Sequence, residues 1–424
     1  MEQTIHQATL SNGLTVVLRE MHHAPVASFW VWYKVGSRNE PTGRTGISHW
    51  VEHMMFKGTE KYPAGAMDRL INREGGRWNA FTWLDFTAYY ETMPVDRIDL
   101  AIEMEADRMA NAVMSDEDVE SERTVILSEL HMYENQPMFL LNQELTAAAF
   151  RVHGYHHDTI GDEWDLQSMT PDDLRGHYQQ FYTPANAVVV VAGDFETEAM
   201  LALLEAHFGA IPAGPPPTAF ARPEPTQRGE RRVTVTGPGD AAYLIYSYKA
   251  PQATDLDFYA LSLLNAAFTG GSSLGMFGRG TTNKSSRLYG ALVETGLAAA
   301  AFGSLAPTID PYLFSIGAVV TAGQAIEDVE AALAAEIARL ASEPITATEL
   351  EHALKRAKVQ LIMASQSASG QGQMMGYSAI VTGDPLWSEK AIERLNEVTL
   401  ADLARVREHY LRPERVTIGR YVPA

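Results

Sequence analysis

Residues 209–232 read G-A-I-P-A-G-P-P-P-T-A-F-A-R-P-E-P-T-Q-R-G-E-R-R. Proline removes backbone donors and glycine weakens both helix and strand, so a run this rich in both sustains neither and reads as an extended linker. It falls at the middle of a 424-residue chain, a length that favours more than one domain. The expected division is a domain at 1–210, a linker at 211–231 and a second domain at 232–424.

Outward from the linker the same order of elements occurs twice. The first half opens on strand-like runs at 14–18 (L-T-V-V-L) and 26–35; the second opens on runs at 232–236 and 242–249 (A-Y-L-I-Y-S-Y-K). β-Branched and aromatic residues dominate them, as strands prefer. Helical stretches follow at 100–113 and 325–340. Each half then closes alike, with a helix at 174–182 before a strand at 187–192 (A-V-V-V-V-A), and a helix at 400–410 before a strand at 416–422. T-P-A-N and R-P-E-R make the two helix-to-strand joints. The expected fold class is α+β: two duplicated domains, each a mainly antiparallel sheet with helices packed on one face.

Composition excludes several functions. Cysteine is absent, so disulfides and thiolate metal sites are ruled out, and any metal must use His, Asp or Glu. No stretch approaches the roughly 18–20 apolar residues of a membrane span. Residues 1–10 carry Glu2 and no apolar run, which points to a cytoplasmic protein, or a periplasmic one if a leader was removed. The 53 acidic residues outnumber the 33 basic ones, which argues against nucleic acid, whose phosphates demand a basic surface. The acidic excess serves solubility, or lines a chamber that attracts basic peptides.

Residues 49–53 read H-W-V-E-H, within a stretch 45–56 that reads as a helix, with Gly58 as a stop signal. Positions i and i+4 share a helical face, so His49 and His53 can aim two imidazoles at one point. Glu52 can lie beside a metal without binding it, where a base for water belongs. Zinc needs a third protein ligand and an open position. The candidate is Glu129, on a second helix within 115–133 that has Ser115 as N-cap and Pro137 beyond its end. Glu122 lies two turns earlier on the same face, with Val125 and Ile126 between, and can accept a hydrogen bond from a ligand imidazole. Two histidines four apart arise often by chance, and Glu122 and Glu129 alone would read as solvated surface. The full H-x-x-E-H pattern is more specific, being the inverted form of the zinc-protease helix motif. His131 should point elsewhere, and the pairs His22-His23 and His156-His157 read as loop residues.

Further motifs share one likeness: L-S-N-G-L-T-V-V-L from Leu10, V-G-S-R-N-E-P from Val35, G-I-S-H-W-V-E-H-M-M-F-K-G-T from Gly46, G-G-R-W-N-A-F-T from Gly75, S-E-R-T-V-I-L-S-E-L from Ser121 and V-V-V-A-G-D-F from Val189. Over nearly its whole length the chain resembles the pitrilysin family of zinc peptidases, the inverzincins, and within it the mitochondrial processing peptidase group and its bacterial relatives. The resemblance implies His49, His53 and Glu129 as ligands of Zn2+, Glu52 as general base and Glu122 as supporting acid. It also implies Asn79, Ala80 and Phe81 as an edge-strand segment that pairs with a peptide substrate. The expected function is therefore a zinc-dependent endopeptidase cleaving extended or unfolded peptides inside a closed dimer chamber. The rival is a non-catalytic assembly subunit of the same family.

The second half departs from the family pattern. Residues 268–289 resemble a glycine-rich loop that engages substrate in some members; Lys284 lacks the preceding glycine of a phosphate loop. Active members show S-R-L, then L-R-E, then G-L-A-Y. Here Ser286, Arg287 and Leu288 fit, but Leu292 is followed by Val293, and Gly296-Leu297-Ala298 by Ala299-Ala300. The family's transition-state Arg and Tyr are thus missing, with Arg287 and Tyr289 the local candidates to replace them. The expected partner is a homologous subunit carrying the Arg/Tyr pair, giving a heterodimer.

Overall fold

The structure, a computed structural model, describes residues 5–215, 222–271 and 284–424. Its strands form two sheets. The first holds β1 (Ile5–Thr9), β2 (Thr15–Glu20), β3 (Val26–Tyr33), β4 (Arg77–Thr82), β5 (Thr87–Pro94) and β6 (Ala187–Gly193), in the order β1-β2-β6-β3-β5-β4. The second holds β7 (Arg231–Gly237), β8 (Tyr243–Lys249), β9 (Ala298–Leu305), β10 (Leu313–Val320) and β11 (Val416–Pro423), in the order β7-β11-β8-β10-β9. In each sheet one pair is parallel, β2 with β6 and β7 with β11, and the other pairs are antiparallel. With β1 set aside the two orders match, so the fold is α+β and duplicated. Among the described residues no helix is long and apolar enough to cross a membrane.

Local chemistry explains the repeat. Thr170 caps the helix Pro171–Phe181 and Thr399 caps Leu400–Tyr410, each in a reciprocal box with an aspartate three residues on, Asp173 and Asp402. Short 3₁₀ turns at Pro184–Asn186 and Pro413–Arg415 then start β6 and β11. β6 is buried along its whole length, and β3 along all but its first residue, because both lie inside the first sheet with both faces covered. β7, on the rim of the second sheet, alternates half-buried and exposed residues, as an edge strand with one wet face should.

Compactness divides the chain differently from the linker. One unit comprises residues 1–130, 157–221 and 364–387; the other comprises 131–156, 222–363 and 388–424. Two helices account for the difference. Pro137–Ala149, from the first half of the sequence, packs on β7 and β11 through Leu141 and Leu145. Ala368–Thr382, from the second half, packs on β3 and β6. Relative to a contiguous division at 1–210 and 232–424, the compact units exchange these helices, each of which covers an apolar sheet face. Part of the linker is also tied down within the second unit, where Gln227 donates to the carbonyl of Val416 at 2.8 Å.

The helix Ala368–Thr382 reaches its sheet through two glycines. A Cβ on Gly372 would lie 2.3 Å from Trp30 Cδ1, and one on Gly376 would lie 2.0 Å from Trp32 Nε1. Trp30 and Trp32 stack at 5.3 Å, and Tyr90, opposite Trp30 on β5, stacks on it at 4.3 Å. The helix lies on this aromatic layer because it has no side chains at the points of contact. Gly376→Ala should overpack that contact and destabilise the first unit by about 1–3 kcal/mol, read as a lowered unfolding midpoint in calorimetry.

Candidate metal centre

The H-W-V-E-H motif lies on the helix Ile47–Met54, which continues as a 3₁₀ turn, Met55–Lys57, before Gly58 ends it. The regular helix is therefore shorter than the expected 45–56. It packs against β4 and β5. The second motif lies on the helix Asp116–Tyr133, with Ser115 accepting from the Asp118 N–H at 3.1 Å as its cap. On that helix Ile126 is buried but Val125 is 48% exposed, so the inward stripe is narrower than the sequence suggests: it runs through Glu122, Ile126 and Glu129 and leaves Val125 outside. His131 is exposed.

His49, His53 and Glu129 converge. One ligand atom from each lies within 4.8 Å of the others. Glu129 Oε2 stands 3.8 Å from His49 Nε2 and 3.7 Å from His53 Nε2. Tetrahedral zinc with bonds of about 2.0–2.2 Å sets its donor atoms roughly 3.3–3.5 Å apart, so a small inward shift of these three groups closes a zinc cage. The donor set, two imidazoles and a carboxylate with a fourth position left over, fits zinc chemistry.

The surrounding groups orient the donors. His53 Nδ1 lies 2.8 Å from Glu122 Oε1, the carboxylate–imidazole contact that fixes a ligand ring. Glu122 also meets Lys57 Nζ at 2.5 Å. The hydrogen bond from His53, with the Lys57 contact added, outweighs burial and holds Glu122 down at about 2. Burial opposes charge on His53, but the Glu122 bond and the charges of Glu52, Glu122 and Glu129 together win and raise its pKa. His49 differs: burial, aided by repulsion from His53, pushes it down to about 3 and keeps it neutral, the form that binds metal. Its Nδ1 is buried and has no hydrogen-bond partner among the described residues.

Glu52 is buried and contributes no donor to the three-residue group. Thr82 Oγ1 donates to its Oε2 at 2.7 Å. Desolvation raises Glu52 to about 7 despite that bond, so it can both take and release a proton near neutral pH. Thr82 ends β4, the outermost strand of its sheet, so the same strand carries Asn79, Ala80 and Phe81 along an open edge. Asn79 is exposed, Ala80 is buried and donates its N–H to Asn79 Oδ1 at 2.9 Å, and Phe81 sets its ring edge-on to Trp30 and Trp32.

Lys57 and Thr82 escape the sequence reading, although both lie inside quoted motifs. Lys57 follows His53 by four residues, a spacing that could have suggested a shared face. His157 lies in a bend, as expected of a loop residue, and is buried there, with Nδ1 3.6 Å from Glu40. His22 stays exposed, held by Asp194 and Glu20. In the second half Arg287 is fully engaged, bidentate with Glu349 at 2.6 and 2.7 Å and donating to the carbonyls of Glu343 and Pro344. Tyr289 starts a π-helical turn, Tyr289–Val293, and Ala299 lies exposed on β9, the outer strand of the second sheet. Of the glycine-rich segment at 268–289, residues 272–283 lie outside the described residues.

Removing the carboxylate that orients His53 should weaken metal binding specifically. Glu122→Ala is expected to lower metal affinity by roughly 10–100-fold, measured by chelator competition; an affinity equal to the parent's would mean that Glu122 plays no part in holding the metal.

The family model described as Insulinase (Peptidase family M16) matches residues 15–163, and that described as Peptidase M16 inactive domain matches residues 168–357. An uncharacterized zinc protease of Mycobacterium leprae is 29% identical over 397 residues, covering 93% of this chain and 86% of that protein. The mitochondrial-processing peptidase subunit beta of Lentinula edodes is 26% identical over 418 residues, covering 95% of this chain and 87% of that one. The crystal structure of a protease from Helicobacter pylori superposes with a TM-score of 0.91 at 27% identity, covering 99% of this chain and 100% of that one. With both domain models matched in order along a duplicated fold, the chain belongs to peptidase family M16.

Proposed function

We propose that this chain is a zinc-dependent endopeptidase that cleaves extended or unfolded peptides. The observation that carries the reading is the pairing of two features: a complete His49, His53 and Glu129 donor set, and beside it a buried carboxyl, Glu52, poised near neutral pH. Bound at those donors, zinc would supply Lewis acidity toward a peptide carbonyl and toward water. Glu52 takes the proton from the attacking water and delivers it to the departing amine nitrogen, a double role its pKa of about 7 suits. Thr82 holds the Glu52 carboxylate in place through Oε2. Asn79, Ala80 and Phe81 offer an open strand edge on which a peptide can pair backbone to backbone, which admits extended chains of varied sequence and rejects folded ones. Residues 1–210 then hold most of the chemistry, and residues 232–424 form the substrate-chamber half beyond the linker 211–231. A non-catalytic assembly role would need no base beside a full donor set, so the rival reading is disfavoured.

Glu52→Gln should keep the metal and lose nearly all hydrolysis, because the three donors survive and the base does not. Zinc content and peptide cleavage measured on the same preparation check this; full activity in the variant would sink the assignment.

The chain further reads as the zinc-bearing subunit of a heterodimer. Family resemblance calls for an Arg and a Tyr in the second domain, reaching the zinc site of the opposing half across a closed chamber. Here those places hold Val293 and Ala299-Ala300. Arg287, the local substitute, is committed to Glu349 and two carbonyls. A homodimer would lack its oxyanion donors, and losing one such donor costs about 10²–10³ in rate. Mixing the chain with a homologous subunit that carries the Arg/Tyr pair should raise peptide cleavage by at least that factor. Equal rates for the chain alone and the mixture would refute the heterodimer.

A further inference from the structure

The motif helix has no ordinary cap. Its N-cap is Gly46, at φ +86°, which has no side chain to offer. No larger residue fits there: a Cβ would lie 2.3 Å from the carbonyl oxygen of Ile160. The first N–H groups of a helix have no partners within it and need acceptors from outside. Glu40, six residues upstream, supplies them. Its Oε2 accepts from the Gly46 N–H and its Oε1 from the Ser48 N–H, both at 2.8 Å. The Glu40 carboxylate is wholly buried, with His157 Nδ1 3.6 Å away. Behind it Asp165 Oδ2 accepts from both the N–H and the hydroxyl of Thr45, at 2.9 and 2.7 Å, which fixes the residue before the cap.

The two ligand histidines are held by different means. His53 is aimed through its ring, by Glu122. His49 has no such contact: its Nδ1 is buried and finds no partner among the described residues. A ligand imidazole ordinarily donates its second N–H to an acceptor that fixes the ring. With that device missing, the aim of His49 depends on where its backbone sits. His49 directly follows Ser48, in the turn that Glu40 clamps.

We infer that Glu40 is the positioning residue for His49, setting through the main chain of the first helical turn what Glu122 sets for His53 through the ring. Glu40 touches neither the donors nor any reacting atom; it acts through Gly46 and Ser48. The inference rests on the zinc reading above. Burial pushes Glu40 up to about 8 against the pull of the two N–H bonds, and an oxygen is available to the helix in either protonation state.

The test is zinc binding to Glu40→Ala and Glu40→Gln by chelator competition, together with the visible spectrum of each protein loaded with cobalt(II). Glu40→Ala should lose roughly 10–100-fold in zinc affinity and show altered cobalt bands. Glu40→Gln keeps the shape and one accepting oxygen, so it should fold like the parent and fall between the two. Asn186→Ala, which removes a buried contact to the Phe181 carbonyl elsewhere in the same unit, serves as the control. It should lower the unfolding midpoint and leave zinc affinity unchanged. A folded Glu40→Gln or Glu40→Ala with parental zinc affinity and cobalt spectrum overturns the role of Glu40, as does an equal affinity loss in Asn186→Ala. A parent chain that binds no zinc instead overturns the zinc reading itself.

Discussion

Burying a carboxylate costs several kcal/mol unless something answers its charge, and the first unit gathers several around one short helix. Glu40 sits at the head of that helix, Glu52 lies on it, and Glu122 faces it from the helix Asp116–Tyr133. Each is answered differently. Glu40 takes two backbone N–H groups, Glu122 takes an imidazole and a lysine, and Glu52 takes a single hydroxyl. Glu122, whose partners include charged groups, is held at about 2, whereas burial lifts Glu52 to about 7 and Glu40 to about 8, because only neutral donors answer them. One structural ion and one proton-exchanging acid thus come from the same residue type, separated by their neighbours.

That arrangement demands a rigid platform, and the aromatic layer of the first sheet supplies it. Trp30, Trp32, Tyr90 and Phe81 pack face to face and edge to face across three strands, β3, β5 and β4. Phe81 joins this layer to β4, whose last residue, Thr82, holds Glu52. Strand β4 and the Glu52 carboxyl are therefore parts of one packed body, so under the proposed function core packing would fix the distance between a peptide laid on β4 and Glu52.

Duplication has produced two sheets of the same strand order with different chemical fates. His49, His53 and Glu129 belong to helices of the unit that holds the first sheet. In the second, the outer strand β9 carries Ala298 to Ala301, and the nearby Arg287 is spent on a bidentate pair with Glu349. Two identical capping boxes, at Thr170 and Thr399, have kept the geometry of the closing helix and strand in both units. Local folding rules and chemical function are separable in this way because a cap constrains a handful of backbone N–H groups, whereas a site constrains side chains from distant segments.

The sequence by itself determined whatever depends on near neighbours along the chain. β-Branched and aromatic residues marked the strands, the i, i+4 spacing of His49 and His53 put two imidazoles on one face, and the seven-residue step from Glu122 to Glu129 did the same for the carboxylates. The duplicated order was legible because each half repeats the same succession of strand-like and helical runs and closes on a proline-containing joint, T-P-A-N or R-P-E-R. What only the tertiary structure decided depends on segments far apart. The exchange of Pro137–Ala149 and Ala368–Thr382 between units follows from which sheet face lacked cover, and no local pattern encodes that. The exposure of Val125, the engagement of Arg287 by Glu349, and the burial of Glu40 under the motif helix all hinge on what packs opposite. Periodicity gives the direction of a side chain; the partner it meets there is set by long-range packing.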